Sequence, residues 1–108
     1  MFEIREITIK EALGYDIKHP LYNYFGVFQG TDLSATLIVK FKDNLIHFLS
    51  IDKKYGTPHG IFEFILKYFE ENYKGKKIYL ESYVPKLCEM YMQYGFKKIS
   101  KFTYIKQI

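Results

Sequence analysis

Leu45-Ile46-His47-Phe48-Leu49-Ser50-Ile51-Asp52-Lys53-Lys54-Tyr55-Gly56-Thr57-Pro58-His59-Gly60 changes character in its middle. The first half is a short apolar run ending at Ile51-Asp52, which reads as a strand. The second half is a turn containing two glycines and a proline. A new period begins directly after it: Ile61, Phe64, Ile65, Tyr68 and Phe69 fall at i, i+3, i+4, i+7 and i+8, one face of an amphipathic helix. Thr57 reads as its N-cap. Pro58 reads as its first helical residue, where a missing N–H does no harm. Gly75, preceded by Lys74, is the natural stop, and Lys77 to Tyr83 resumes a strand. Strand, helix, strand implies a crossover connection and therefore a parallel pair.

Upstream, Phe2, Ile4 and Ile7 near-alternate with charged residues as a first strand. Lys10 to Tyr15 holds one or two helical turns limited by Gly14, and His19-Pro20 breaks the chain. Tyr22 to Gln29, Ala35 to Phe41 and Leu45 to Ile51 are extended runs joined by Gly30-Thr31-Asp32 and Lys42-Asp43-Asn44, the pattern of an antiparallel meander. Downstream, Pro85 opens a second helix with Leu87, Tyr91 and Tyr94 on one stripe. Gly95 ends it, and Phe96 to Ile105 is a last strand. The expected fold is α/β, a mixed and mostly antiparallel sheet with two principal helices, in a single domain spanning residues 1–108.

Composition narrows the function classes. Hydrophobic residues make up 48% of the 108, enough for a real core. The 19% aromatic content, with no Trp, is read first as core filling. A net charge of +4 with lysines in scattered pairs falls short of a nucleic-acid signature. Cys88 is the sole cysteine, so there is no intrachain disulfide; on a short helix without a placed base it reads as structural rather than nucleophilic. Three scattered histidines predict no metal site. The start, Met1 to Glu6, is neither a signal peptide nor a membrane span, and a cytoplasmic location is expected.

A glycine-containing turn ahead of a helix presents unpaired N–H groups and a positive dipole end to a phosphate. Gly56 and Gly60 would let the backbone approach, Thr57 could add a hydroxyl, and Lys53 or Lys54 a cation. An ordinary capped helix is the plainer alternative. Tyr91 is a candidate acid or a core tyrosine. His47 is a candidate base or a hydrogen-bonded core histidine, its local alternation grouping it with Leu49 and Ile51.

The turn, the helix after it, Leu80-Glu81 and Met90-Tyr91-Met92-Gln93-Tyr94-Gly95-Phe96 together resemble the GNAT superfamily of acyl-CoA-dependent N-acetyltransferases. The resemblance covers roughly Leu37 to Ile105. It implies direct transfer of an acetyl group from acetyl-CoA to an amine, carried by a small molecule or by a protein lysine or N-terminus. It implies that Ile51, Tyr55, Gly56, Thr57, His59 and Gly60 hold the cofactor, and that Tyr91 protonates the leaving thiolate. Glu81 and His47 are then the candidates for receiving or deprotonating the amine. The chain also departs from the family pattern: Tyr55 replaces a basic residue, Pro58 a glycine, Val84 an asparagine and Leu87 an alanine. The region before the second strand is too short for two full helices. These departures support an alternative, a non-catalytic GNAT-like binding or regulatory module. The open sheet favours a homodimer.

Overall fold

The computed structural model describes residues 2–14, 22–54 and 60–108. Strand β1 (Phe2–Ile7) leads into a short helix α1 (Ile9–Leu13). Thr8 and Glu11 cap that helix reciprocally, a Thr-x-x-Glu signature. The meander follows as β2 (Asn23–Gln29), β3 (Asp32–Lys42) and β4 (Leu45–Lys53). Helix α2 (Ile61–Asn72) crosses over to β5 (Lys77–Glu81), and helix α3 (Pro85–Gln93) leads to β6 (Lys97–Ser100) and β7 (Thr103–Gln107). The seven strands form one sheet in the order β1-β2-β3-β4-β5-β7-β6. Every neighbouring pair is antiparallel except β4–β5, which is parallel as the crossover requires.

The helical period of α2 and the two-residue period of the strands meet in one core. Phe25, Val27, Leu37, Val39, Ile46, Phe48, Ile78, Leu80 and Tyr104 cover one face of the sheet. Ile61, Ile65, Leu66 and Phe69 of α2 and Tyr91 of α3 close over it. Phe69 is fully buried, its ring 5.4 Å from that of Phe25 and 5.0 Å from that of Phe48. The excess of aromatics in the sequence is largely spent here, on tilted and edge-to-face pairs.

The structure corrects four details of the sequence reading. Helix α2 begins at Ile61 with Gly60 at φ 92° as its N-cap, three residues later than the sequence reading has it. A left-handed φ of this kind is costly for any residue with a Cβ, which is why glycine stands there. The last strand is two, β6 and β7, joined at Lys101-Phe102, a turn with none of the Gly, Pro, Asn or Asp that announce one. The buried stripe of α3 centres on Tyr91, while Leu87 is 39% exposed. His47 is not in the core; its strand carries a bulge that alternation cannot foresee. The N-cap and first-turn assignments of Thr57 and Pro58, like Tyr55, Gly56 and His59, lie outside the described residues, as do Tyr15 and His19-Pro20.

Gly95 turns the chain out of α3 with φ 93°. A Cβ there would lie 2.7 Å from Nζ of Lys106, the movable end of a side chain that pairs with Glu70 at 3.7 Å. The left-handed backbone dominates the cost. Gly95→Ala is therefore expected to destabilise the fold by about 1–2 kcal/mol. Urea titration monitored by circular dichroism measures it, and a loss below about 0.5 kcal/mol would show that the turn relaxes.

Candidate active site

Two interruptions in the hydrogen-bond ladder create the site. Val39 pairs with Phe48 and Ile38 with Ser50, so Leu49 is the extra residue of a β-bulge in β4. On the other side of β4, the parallel pairing with β5 runs from Leu45↔Lys77 to Phe48↔Leu80 and stops. A bulge bends its strand and sharpens the twist, so β4 leaves β5 where Leu49 is inserted. Strand β4 continues to Lys53, still paired with β3 through Ile51↔Leu37 and Lys53↔Ala35. On the β5 side, residues 49–53 have no ladder partner among the described residues.

The gap opens into a cleft of about 290 Å³. Phe48, Ser50 and Ile51 line it from β4, Leu80 and Glu81 from β5, and Tyr91 from α3. Three residues singled out from the sequence, Ile51, Glu81 and Tyr91, thus share one wall system. Leu87 lines it too, as do Ser82 and Tyr83, which sequence reasoning did not single out.

Tyr91 is the most constrained of the group. It is 9% exposed, and its ring is held by Phe62 at 5.3 Å, Phe96 at 5.8 Å and Tyr104 at 5.9 Å. Burial pushes its phenol above the ordinary tyrosine range; Cys88 adds to the shift and a hydrogen bond with Ser82 opposes it. The hydroxyl therefore keeps its proton at neutral pH. The neighbouring Tyr104 does not line the cleft, and a hydrogen bond with Cys88, together with burial, raises its phenol to about 12. Cys88 itself is partly buried, its Sγ 3.9 Å from the Ser82 carbonyl oxygen, within the packing of α3.

Glu81 is held between two phenols. Tyr79 Oη donates to its Oε1 at 3.3 Å and Tyr83 Oη donates to its Oε2 at 3.2 Å. The signal for this clamp was in the sequence: Tyr79, Glu81 and Tyr83 stand at i, i+2 and i+4, the spacing of one strand face. The hydrogen bond to Glu81 raises the Tyr83 phenol above its usual range.

His47 lies apart from Tyr91. It pairs with Lys40 on β3 and Tyr79 on β5, on the sheet face turned away from α2, while Ile51 pairs with Leu37 on the core face. The extra residue Leu49 separates the two, so the alternation that grouped His47 with Ile51 changes phase between them. The imidazole packs edge-on to Tyr79 at 4.7 Å. Desolvation lowers its pKa; Glu81 works against the shift and Lys40 with it. Among the described residues no three His, Cys, Asp or Glu side chains gather as metal ligands, and no helix is long and apolar enough to cross a membrane.

The layout is shared with several solved acetyltransferase structures. An acetyltransferase-family protein assigned to GNAT, from Bacteroides thetaiotaomicron, superposes with a TM-score of 0.72 over 98% of this chain and 87% of its own, at 12% identity. The ribosomal-protein-S18-alanine N-acetyltransferase of Escherichia coli matches with a TM-score of 0.74 over 97% of this chain and 91% of its own, at 11% identity. This chain has the GNAT fold. The PaiA N-acetyltransferase of Thermoplasma acidophilum, solved in complex with coenzyme A, is 22% identical and matches with a TM-score of 0.65 over 79% of this chain. The chain spans 60% of that protein's length. No protein-family model and no curated protein sequence matches this chain. The likeness is thus one of fold: the split between β4 and β5 is built on a GNAT frame by a sequence that has diverged widely from these neighbours.

Proposed function

We propose that the chain is an acetyl-CoA-dependent N-acetyltransferase that moves an acetyl group directly to a primary amine. One observation carries this reading: β4 and β5 part at Phe48 and Leu80, and Ile51, Glu81 and Tyr91 line the cleft that results. The backbone of residues 49–53 suits an extended, amide-bearing arm, because its β5-facing N–H and C=O groups lack strand partners among the described residues. The start of α2 adds a helix dipole pointing the right way for the phosphates, and no side chain of the described residues caps it. The PaiA structure was solved with coenzyme A, and the shared fold supports the same ligand class here.

Bound acetyl-CoA would supply the activated acyl group and a thiolate leaving group. This chain's own contribution is position and protons. Holding the amine and acyl carbon in line within the cleft removes much of the entropic barrier. Glu81, fixed by two tyrosines, receives the ammonium form of the acceptor and accepts its proton or passes it to water. Tyr91 delivers its phenolic proton to the departing sulfur. Burial keeps the phenol protonated at neutral pH, so the donor is loaded when the sulfur departs.

Thermal melting with added acetyl-CoA tests the reading. A ligand at a hundredfold excess over Kd that binds only the folded chain adds about 2.7 kcal/mol, which raises Tm by roughly 10 °C in a domain of this size. A folded chain whose Tm does not move at saturating acetyl-CoA would favour the non-catalytic module instead.

A further inference from the structure

The sheet face turned away from α2 and α3 carries a charge pattern set by strand register. Lys42, Leu45 and Lys77 are neighbours in one row across β3, β4 and β5, and Lys40, His47 and Tyr79 form the next row. Glu81 stands two residues beyond Tyr79 on the same face of β5. A strand rises about 3.3 Å per residue, so Lys77 and Glu81 lie about 13 Å apart along that face. Lys40, Lys42 and Lys77 are exposed, and none forms an ion pair with another described residue. With Leu45, His47 and Tyr79, the first two line a cavity of about 160 Å³. The face therefore runs from a carboxylate at the rim of the cleft, across a middle row of Tyr79 and His47 with Lys40 on its β3 side, to a cationic end at Lys42 and Lys77.

We infer that this face receives the acceptor as an extended acidic polypeptide. Its reactive amine lies at Glu81, and its acidic side chains, about four residues further on, lie against Lys42 and Lys77, with Lys40 one row nearer the amine. The inference rests on the transferase reading of the cleft and names the acceptor class for it. Charge complementarity sets both the partner and its direction, since an ammonium group suits one end and carboxylates the other. A second copy docked face to face would offer one carboxylate, Glu81, to three lysines. Single-stranded nucleic acid would meet the Glu81 carboxylate, and His47 and Tyr79 are packed edge to face rather than laid open as two stacking platforms.

Two peptides of equal length test this, each with a free N-terminal amine and a C-terminal fluorophore. One carries Asp and Glu at about positions four to six, the other Asn and Gln there. By fluorescence anisotropy at low salt the acidic peptide should bind about tenfold more tightly, the sum of several screened ion pairs. The difference should collapse in high salt. The triple variant Lys40→Gln, Lys42→Gln, Lys77→Gln should erase it, whereas Lys67→Gln with Lys74→Gln, which removes charge from α2 and the residues just after it, should preserve it. With acetyl-CoA present, the acidic peptide should be acetylated with the higher kcat/KM by a similar factor.

Equal affinity for the two peptides would overturn the inference. So would an oligothymidylate that binds more tightly than the acidic peptide and is released by the same triple variant. Equal acetylation of both peptides discards the surface and leaves the transferase reading standing. An acidic peptide that binds but is not acetylated, on a chain that binds acetyl-CoA, overturns the acceptor assignment through the transferase reading itself.

Discussion

Replacing Tyr91 by phenylalanine is expected to lower kcat by about 100-fold, the range found when a positioned general acid is removed. The affinity for coenzyme A should change by less than about twofold, since only one hydroxyl is lost. The substitution is conservative for packing. The ring that contacts Phe62, Phe96 and Tyr104 is retained, so the cage around it stays filled. A second readout separates acid catalysis from general damage. The donor works in its protonated form, so activity should be present below the folded-state pKa of Tyr91 and lost as pH rises through it. Burial places that pKa above the ordinary tyrosine value, so the wild-type profile should fall only on the far alkaline side. The variant should lack this limb. An unchanged kcat would remove Tyr91 from the chemistry and leave it as an aromatic core residue.

Phe69→Ala should have the largest effect on stability. The side chain is fully buried and its ring meets those of Phe25, Phe48, Tyr68 and Tyr73, with centroids 5.0–5.4 Å apart. It ties α2 to both β2 and β4, so its removal leaves a cavity that several elements would have to move together to fill. Truncation of a core phenylalanine costs about 3–5 kcal/mol. Domains of this kind have about 5–15 kcal/mol in total, so the variant should be marginal at 37 °C. Urea unfolding should report a lower midpoint with an unchanged slope. A loss under about 1.5 kcal/mol would mean that the aromatic layer collapses onto the space, and that Phe69 is one of several interchangeable fillers.

Much of the frame was legible because two periods are hard to confuse when they are long. Ile61 to Phe69 could satisfy a 3.6-residue repeat and not an alternation, and that alone required the crossover and the parallel pair. Gly95-Phe96 after Tyr91 marked the end of α3 correctly. The split of the last strand was hidden because Lys101-Phe102 has no residue with a preference for turns. Ser82 and Tyr83 were missed as cleft residues because nothing local says where two strands will separate. That information sits in the pairing of β4 with both neighbours. The same gap misled the reading of His47. Alternation is a rule about an unbroken ladder, and one unpaired residue at Leu49 breaks it. The Tyr79-Glu81-Tyr83 clamp, by contrast, was open to view at strand spacing.

The bulge at Leu49 makes β4 a two-sided element in sequence as well as in space. Residues before it, such as His47, stand on the sheet face turned away from the helices, while Ile51 beyond it faces the helical layer and the cleft. Drift in the two halves is thereby uncoupled. On the transferase reading proposed above, a lineage can vary its acceptor through positions 45 and 47 without touching the residues proposed to hold the acyl carrier, provided the count of residues between them never changes. Length, more than identity, is what this stretch has to keep.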